Sequence, residues 1–119
     1  MKVLIVDDSK VMRGLIQREL KTAGYECDVI EAGDGIEALS KLDASIDIIL
    51  LDWKMPNMDG IEFIQKARKS GSNIPILMIS TEGADENAAK ALSAGANGYI
   101  AKPFTAEKIK EKLKAILKG

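Results

Sequence analysis

Five short apolar runs, each followed by a longer segment of helical spacing, constrain this chain more than any other feature. The runs are VLIV (3–6), CDVIEA (27–32), IDIILL (46–51), IPILMIS (74–80) and GYIA (98–101), each of strand length. Between and after them apolar residues recur at helical spacing. They are Met12, Leu15, Ile16 and Leu20; Ile36, Leu39 and Leu42; Ile61, Ile64 and Ala67; Ala88, Ala91 and Leu92; and Ile109, Leu113, Ile116 and Leu117. Ser9 and Thr105 stand where N-caps belong, while Gly24, Gly71 and Gly95 stand where helices stop. The sequence therefore predicts five strands alternating with five helices.

A regular (βα)5 alternation requires a parallel sheet covered by helices on both faces, because each crossover returns the chain to the same end. Runs one, three and four are almost purely aliphatic, as expected of strands buried on both sides, whereas Asp28, Glu31, Asn97 and Gly98 mark runs two and five as edges. The expected architecture is an α/β, single-domain, flavodoxin-like fold spanning residues 1–119. Its parallel five-stranded sheet has the order 2-1-3-4-5, with a topological switch point between strands one and three.

At 119 residues such a fold buries roughly two thirds of the unfolded chain's surface, enough for a core without metal or disulfide staples. The single cysteine, Cys27, excludes an intrachain disulfide and points to a reducing compartment, so a cytoplasmic location is expected. There is no histidine, which removes imidazole metal ligands and a histidine general base. A formal charge of −1 supplies no basic field for nucleic acid. No apolar stretch approaches the ~18 residues of a membrane span, so no membrane insertion is expected.

In a sheet of this order ligands bind just beyond the carboxyl ends of the strands. Those positions hold Asp7 and Asp8, then Asp52, then Ser80 and Thr81, then Lys102. Two unit charges ~4 Å apart repel by about 4 kcal/mol at an effective dielectric of 20, so three ionised carboxylates at one edge need compensation. A divalent cation provides it, and all-oxygen ligands with room for water favour Mg²⁺ over Ca²⁺. Asp52, beside Mg²⁺ and a lysine, is then set up as a nucleophile toward phosphorus, with Ser80 donating to the same phosphoryl oxygens. Taken singly, each residue has a plainer reading: Asp8 or Ser9 as a helix cap, Lys102 as a solvated charge, Ser80 as a satisfied hydroxyl. Capping does not explain complementary groups at four successive strand positions.

VLIVDDSKVMR, ILLDWKMPNMDG, ILMIS and GANGYIAKPF resemble the receiver domains of two-component response regulators, in order and spacing over the full chain. The likeness is strongest to the family's stand-alone chemotaxis regulators. It implies Asp52 as phosphoacceptor, Asp8 as a direct Mg²⁺ ligand, Asp7 as a ligand acting largely through water, and the Lys54 backbone carbonyl completing the metal site. Lys102 and Ser80 would bind phosphoryl oxygens, Ser80 and Tyr99 would form the switch, and the bond before Pro103 would be cis. Tyr99 also reads simply as a half-buried edge-strand aromatic. Met55, Pro56, Met58 and Gly60 would shape the loop entering helix three, and Trp53 would be a packing and surface residue.

The implied function is that of a monomeric signalling protein catalysing only its own phosphorylation and dephosphorylation. Its donor would be a sensor histidine kinase or histidine phosphotransfer protein. Its downstream protein partner would bind the face of helix four, strand five and helix five. A haloacid-dehalogenase-type phosphatase is the competing enzyme, but it needs a second Asp two positions past the nucleophile, where this chain has Lys54. A receiver fold that never uses its site would have lost an acidic ligand or the lysine, and neither is lost. A chemotaxis regulator of the family carries a short amide where Lys54 stands; in the family this position and that of Glu82 flank the path of the hydrolytic water, so the resemblance implies that the two tune dephosphorylation, the plainer reading being two independently solvated side chains.

Overall fold

The structure, a computed structural model, describes residues 1–81 and 85–117. The elements are β1 (Lys2–Val6), α1 (Lys10–Thr22), β2 (Asp28–Ala32), α2 (Gly35–Lys41), β3 (Ile48–Leu51), α3 (Gly60–Lys69), β4 (Ile76–Ser80), α4 (Asp85–Ala94), β5 (Gly98–Ala101) and α5 (Ala106–Leu117). The sheet is five-stranded in the order β2-β1-β3-β4-β5, with every pairing parallel. The expected alternation, order and edges are therefore all observed.

Strand periodicity divides the core in two. Leu4, Val6, Ile49, Leu51, Ile76 and Met78 turn to one face, against Ala38 of α2, Phe63, Ile64 and Ala67 of α3, and Ala91 of α4. Val3, Ile5, Ile48, Leu50, Leu77, Ile79 and Ile100 turn to the other, against Ile16 and Leu20 of α1 and Ile109 and Leu113 of α5. Fully burying one such side chain contributes about 1.5–3 kcal/mol. No helix among the described residues is long and apolar enough to cross a membrane.

β2, β3 and β4 start later than their apolar runs. Pro75 has no N–H to give the ladder, and β4 begins after it; Ile46 donates to Asp43 in a turn and lies outside β3, though its side chain is buried. Three residues expected on buried helix faces, Leu15, Ile36 and Leu92, are exposed. Leu15 shares its face with Val11, four residues earlier, and that face turns away from the line of Ile16 and Leu20. Ser9 caps α1 by accepting from the Met12 N–H, and Thr105 accepts from Lys108 N at the start of α5. Asp34 and Asp59 cap α2 and α3 in the same way, through Glu37 N and Glu62 N. Gly24 and Gly71 follow α1 and α3 with φ of 95° and 97°, the left-handed turn a β-carbon would oppose.

Candidate functional site

Register places the chemistry. Val6 pairs with Ala32 and with Leu51, and Ser80 with Ala101, so the chain leaves β1, β3 and β5 at neighbouring points of one sheet edge. The next residue of each remains tied to the ladder: Asp7 N donates to Ala32 O (3.1 Å), Asp52 N to Val6 O (2.8 Å) and Lys102 N to Ser80 O (2.8 Å). Two carboxylates on the adjacent strands β1 and β3, and an ammonium on β5 one strand beyond β4, are thereby set at one edge by backbone hydrogen bonds.

Carboxylate oxygens of Asp7, Asp8 and Asp52 lie within 4.8 Å of one another. Asp7 is 2% exposed, Asp52 is half-buried and Asp8 is open to solvent. Lys102 Nζ donates to Asp7 Oδ2 at 3.0 Å and stands 3.4 Å from Asp52 Oδ1. Asp7 Oδ1 accepts from Ser9 N (2.9 Å), and Asp52 Oδ1 from Trp53 N (2.9 Å). Burial pushes the Asp52 carboxyl above its ordinary value, and the neighbouring Asp7 adds to this, against the opposing pull of Lys102. Since Ser9 is the cap, the helix-capping reading of Asp8 falls away.

Ser80 is fully buried at the end of β4. Tyr99 is half-buried and packs against the core on the α2–α4 face. Met78 pairs with Tyr99 and Ser80 with Ala101, and side chains alternate, so Ser80 and Tyr99 point to the same face at neighbouring register positions. The Lys102–Pro103 bond is cis. Lys54 has an exposed side chain and pairs with no carboxylate among the described residues; Glu82 lies outside those residues. Trp53 packs more deeply than expected of a surface residue, at 9% exposure in the core beneath the site.

The β3–α3 loop is fixed at its far foot by Gly60 N donating to Trp53 O (2.8 Å). A β-carbon on Gly60 would overlap the Asp52 carbonyl oxygen, so only glycine allows this approach. One neighbour was not legible from spacing. Arg13 Nη1 donates to the Asp7 carbonyl (2.6 Å) while its Nε holds Glu31 of β2 (2.8 Å), a cation anchored behind the acidic group. An arginine on an amphipathic helix reads as a solvated charge until the third dimension brings it to β2.

Comparison with known proteins agrees with this geometry. Residues 3–114 match the response regulator receiver domain. Chemotaxis protein CheY1 of Helicobacter pylori is 48% identical, over 98% of this chain and 97% of that protein; the CheY homolog of Campylobacter jejuni is 44% identical, over 98% and 92%. Among solved structures, Vibrio cholerae CheY4 superposes with a TM-score of 0.84 at 40% identity, covering 98% of both chains. The Borrelia burgdorferi CheX–CheY–BeF3–Mg complex gives a TM-score of 0.87 at 31% identity, covering 97% of this chain and 87% of that one. With residues 3–114 matched by the family and relatives 44–48% identical over nearly its whole length, the chain belongs to the response regulator receiver domain family of two-component signalling.

Proposed function

We propose that this chain is a single-domain chemotaxis-type response regulator that accepts a phosphoryl group on Asp52 with Mg²⁺ and thereby changes the surface it offers to a downstream protein. One observation carries the reading: Asp7, Asp8 and Asp52 converge within 4.8 Å with Lys102 Nζ 3.4 Å from Asp52. As a receiver domain it is a signalling protein rather than a classical enzyme.

The donor set suits a hard divalent cation, since it offers three carboxylates and no softer ligand, and exposed Asp8 leaves room for water. Asp8, Asp52 and the Lys54 carbonyl would hold the ion. Both oxygens of Asp7 already accept protein hydrogen bonds, from Ser9 N and Lys102 Nζ, which favours a role through water. When bound, Mg²⁺ neutralises charge on the phosphoryl oxygens.

Asp52 Oδ1 is held by Trp53 N and Lys102, so Oδ2 is the oxygen that attacks. The O–P bond forms as the donor's bond to phosphorus breaks, and the electron pair leaves with the donor, a histidine kinase or phosphotransfer protein. Desolvation makes the carboxylate more basic and hence a better nucleophile. Lys102 binds the transferred oxygens, with Ser80 donating to another. In hydrolysis water bonds to phosphorus, the acyl O–P bond breaks, and phosphate departs from a restored carboxylate.

Ser80 drawn toward the phosphoryl group vacates space on the face that Tyr99 shares, and Tyr99 turns inward, altering the surface of α4, β5 and α5. The Borrelia relative is complexed with CheX and with BeF3 and Mg, the kind of protein partner and loaded site this reading assigns here. Acetyl phosphate with Mg²⁺ should add one phosphoryl mass to the wild type and none to Asp52→Asn. Label retained in Asp52→Asn would place the group elsewhere. Tyr99→Ala should change the affinity of the phosphorylated chain for its partner, captured by α4-β5-α5 contacts, while leaving phosphorylation intact.

A further inference from the structure

The loop that would supply the Lys54 carbonyl is gripped at its crest by the start of another helix. Asn57 lies there in a left-handed conformation, φ 66°, the one described non-glycine residue with positive φ. Its Nδ2 donates to Asp34 Oδ2 at 2.8 Å, while the other oxygen of Asp34 caps α2 through Glu37 N, also at 2.8 Å. Beside this contact Gly35 N donates to Met58 O (3.3 Å), and Met58 N closes a tight turn on Pro56 O (2.7 Å). A β-carbon on Gly35 would meet Met58 at 2.8–3.0 Å, so the two loops touch with no space for a side chain. The Asp34 carboxyl is held below its ordinary value by the Glu37 N–H and the Asn57 amide, as expected of a carboxylate serving both.

We infer that Asp34 and Asn57 are positioning residues for the metal site: the Asp34–Asn57 clasp holds the β3–α3 loop in the shape in which the Lys54 carbonyl can face the carboxylates, though neither residue ligates. The inference rests on the proposed Mg²⁺ site. Its physical content is preorganisation. Asp52 and Trp53 are fixed by β3 and by the Gly60 contact, but residues 54–59 leave the sheet and have no ladder of their own. Without the clasp they must be ordered when the metal binds, and that ordering subtracts from affinity. Asparagine suits the position because it tolerates positive φ and its amide reaches the cap residue of α2.

The test uses substitutions that separate the clasp from the cap and from the backbone conformation. Asp34→Ser keeps an N-cap oxygen but is too short to reach Asn57. Asn57→Gly keeps the positive φ and removes the amide. The exchange Asp34→Asn/Asn57→Asp restores a donor and an acceptor at unchanged net charge, with a good N-cap and a residue type that accepts positive φ. In the full chain, Mg²⁺ affinity is read from Trp53 fluorescence, and hydrogen exchange of the Gly35 amide is read without metal. Each single variant should weaken Mg²⁺ roughly fivefold, the factor one ordinary hydrogen bond is worth, and speed Gly35 exchange. The Asp34→Ser/Asn57→Gly double variant should be no weaker than either single one, and the exchange variant should return to within about twofold of wild type. Single variants that bind Mg²⁺ like a responsive wild type, or strictly additive losses, would overturn the clasp alone. A wild type indifferent to Mg²⁺ would overturn the metal reading, and this inference with it.

Discussion

Lys102→Met tests the electrostatics of the strand-end cluster, because it keeps the aliphatic stem and removes only the charge. Lys102 is 11% exposed in its side chain, Asp7 2% and Asp52 12%, so water screens these charges poorly. At an effective dielectric of 20 the contacts of 3.0 Å and 3.4 Å are worth about 5.5 and about 5 kcal/mol gross. At the same dielectric two carboxylates within 4.8 Å of each other repel by at least about 3.5 kcal/mol. In the wild type desolvation consumes much of the gross attraction; in the variant desolvation and repulsion remain, offset only by the Ser9 and Trp53 amides. Removing one partner of a buried pair typically costs 3–5 kcal/mol, so a loss of about 3 kcal/mol is expected for metal-free protein at neutral pH. For a domain of this size that lowers Tm by about 10 °C.

The same charges set two further signatures of that substitution. Without Lys102 the opposing pull on Asp52 is gone, and its carboxyl, already raised by burial, binds a proton still more tightly in the folded chain than in the unfolded one. Acids of that kind contribute stability at low pH that is lost as pH rises through the folded pKa. The deficit against wild type should therefore shrink on acidification toward the ordinary carboxylate range. It should also shrink with Mg²⁺, which binds only the folded site and replaces the missing cation. Urea unfolding followed by Trp53 fluorescence and circular dichroism, with chelator and with Mg²⁺, reads all three. A loss below about 1 kcal/mol, or a deficit indifferent to both acid and Mg²⁺, would refute the reasoning.

Asp52→Asn should act in the opposite direction without metal: the folded pKa of Asp52 is raised, so its ionisation opposes folding, and the neutral amide should raise Tm at pH 7. That gain should open above pH 3.8, grow as the wild-type group ionises and level off above its raised pKa; a pH-independent difference would contradict burial as its cause. Mg²⁺ should change Trp53 fluorescence in a saturable way, since the indole lies one residue from Asp52, and Asp8→Ala should flatten the titration; an unchanged curve would remove Asp8 from the metal site. Lys54→Asn should hasten autodephosphorylation severalfold by uncovering the path of the hydrolytic water, and Glu82→Ala should partly mimic it. Less-than-additive rates in the double variant are required if the two charges act together, and a slower Lys54→Asn would dispose of the idea.

Strand-end chemistry was legible in the sequence because a parallel sheet turns order along the chain into position in space. Asp7, Asp52 and Lys102 each follow an apolar run directly, and the ladder carries each to the same edge, so counting runs located them. Gly24 and Gly71 likewise announced helix ends through backbone conformation, which is a local property. The outward turn of Leu15, Ile36 and Leu92 was not legible, since periodicity gives the existence of an apolar stripe but not how much of it a neighbouring element covers.

Arg13 and the Asp34–Asn57 pair show what spacing omits in the site itself. Their partners are 6, 18 and 23 residues away, and no period links them. Arg13 reaches Glu31 only because β2 lies beside β1, and Asn57 reaches Asp34 only because α2 and α3 share a face of the sheet. The charged side chains of the acidic group are thus dictated by residue type at the strand ends. The loops that frame them are held by contacts between elements, and a substitution there can alter metal affinity while every carboxylate and Lys102 stay in place.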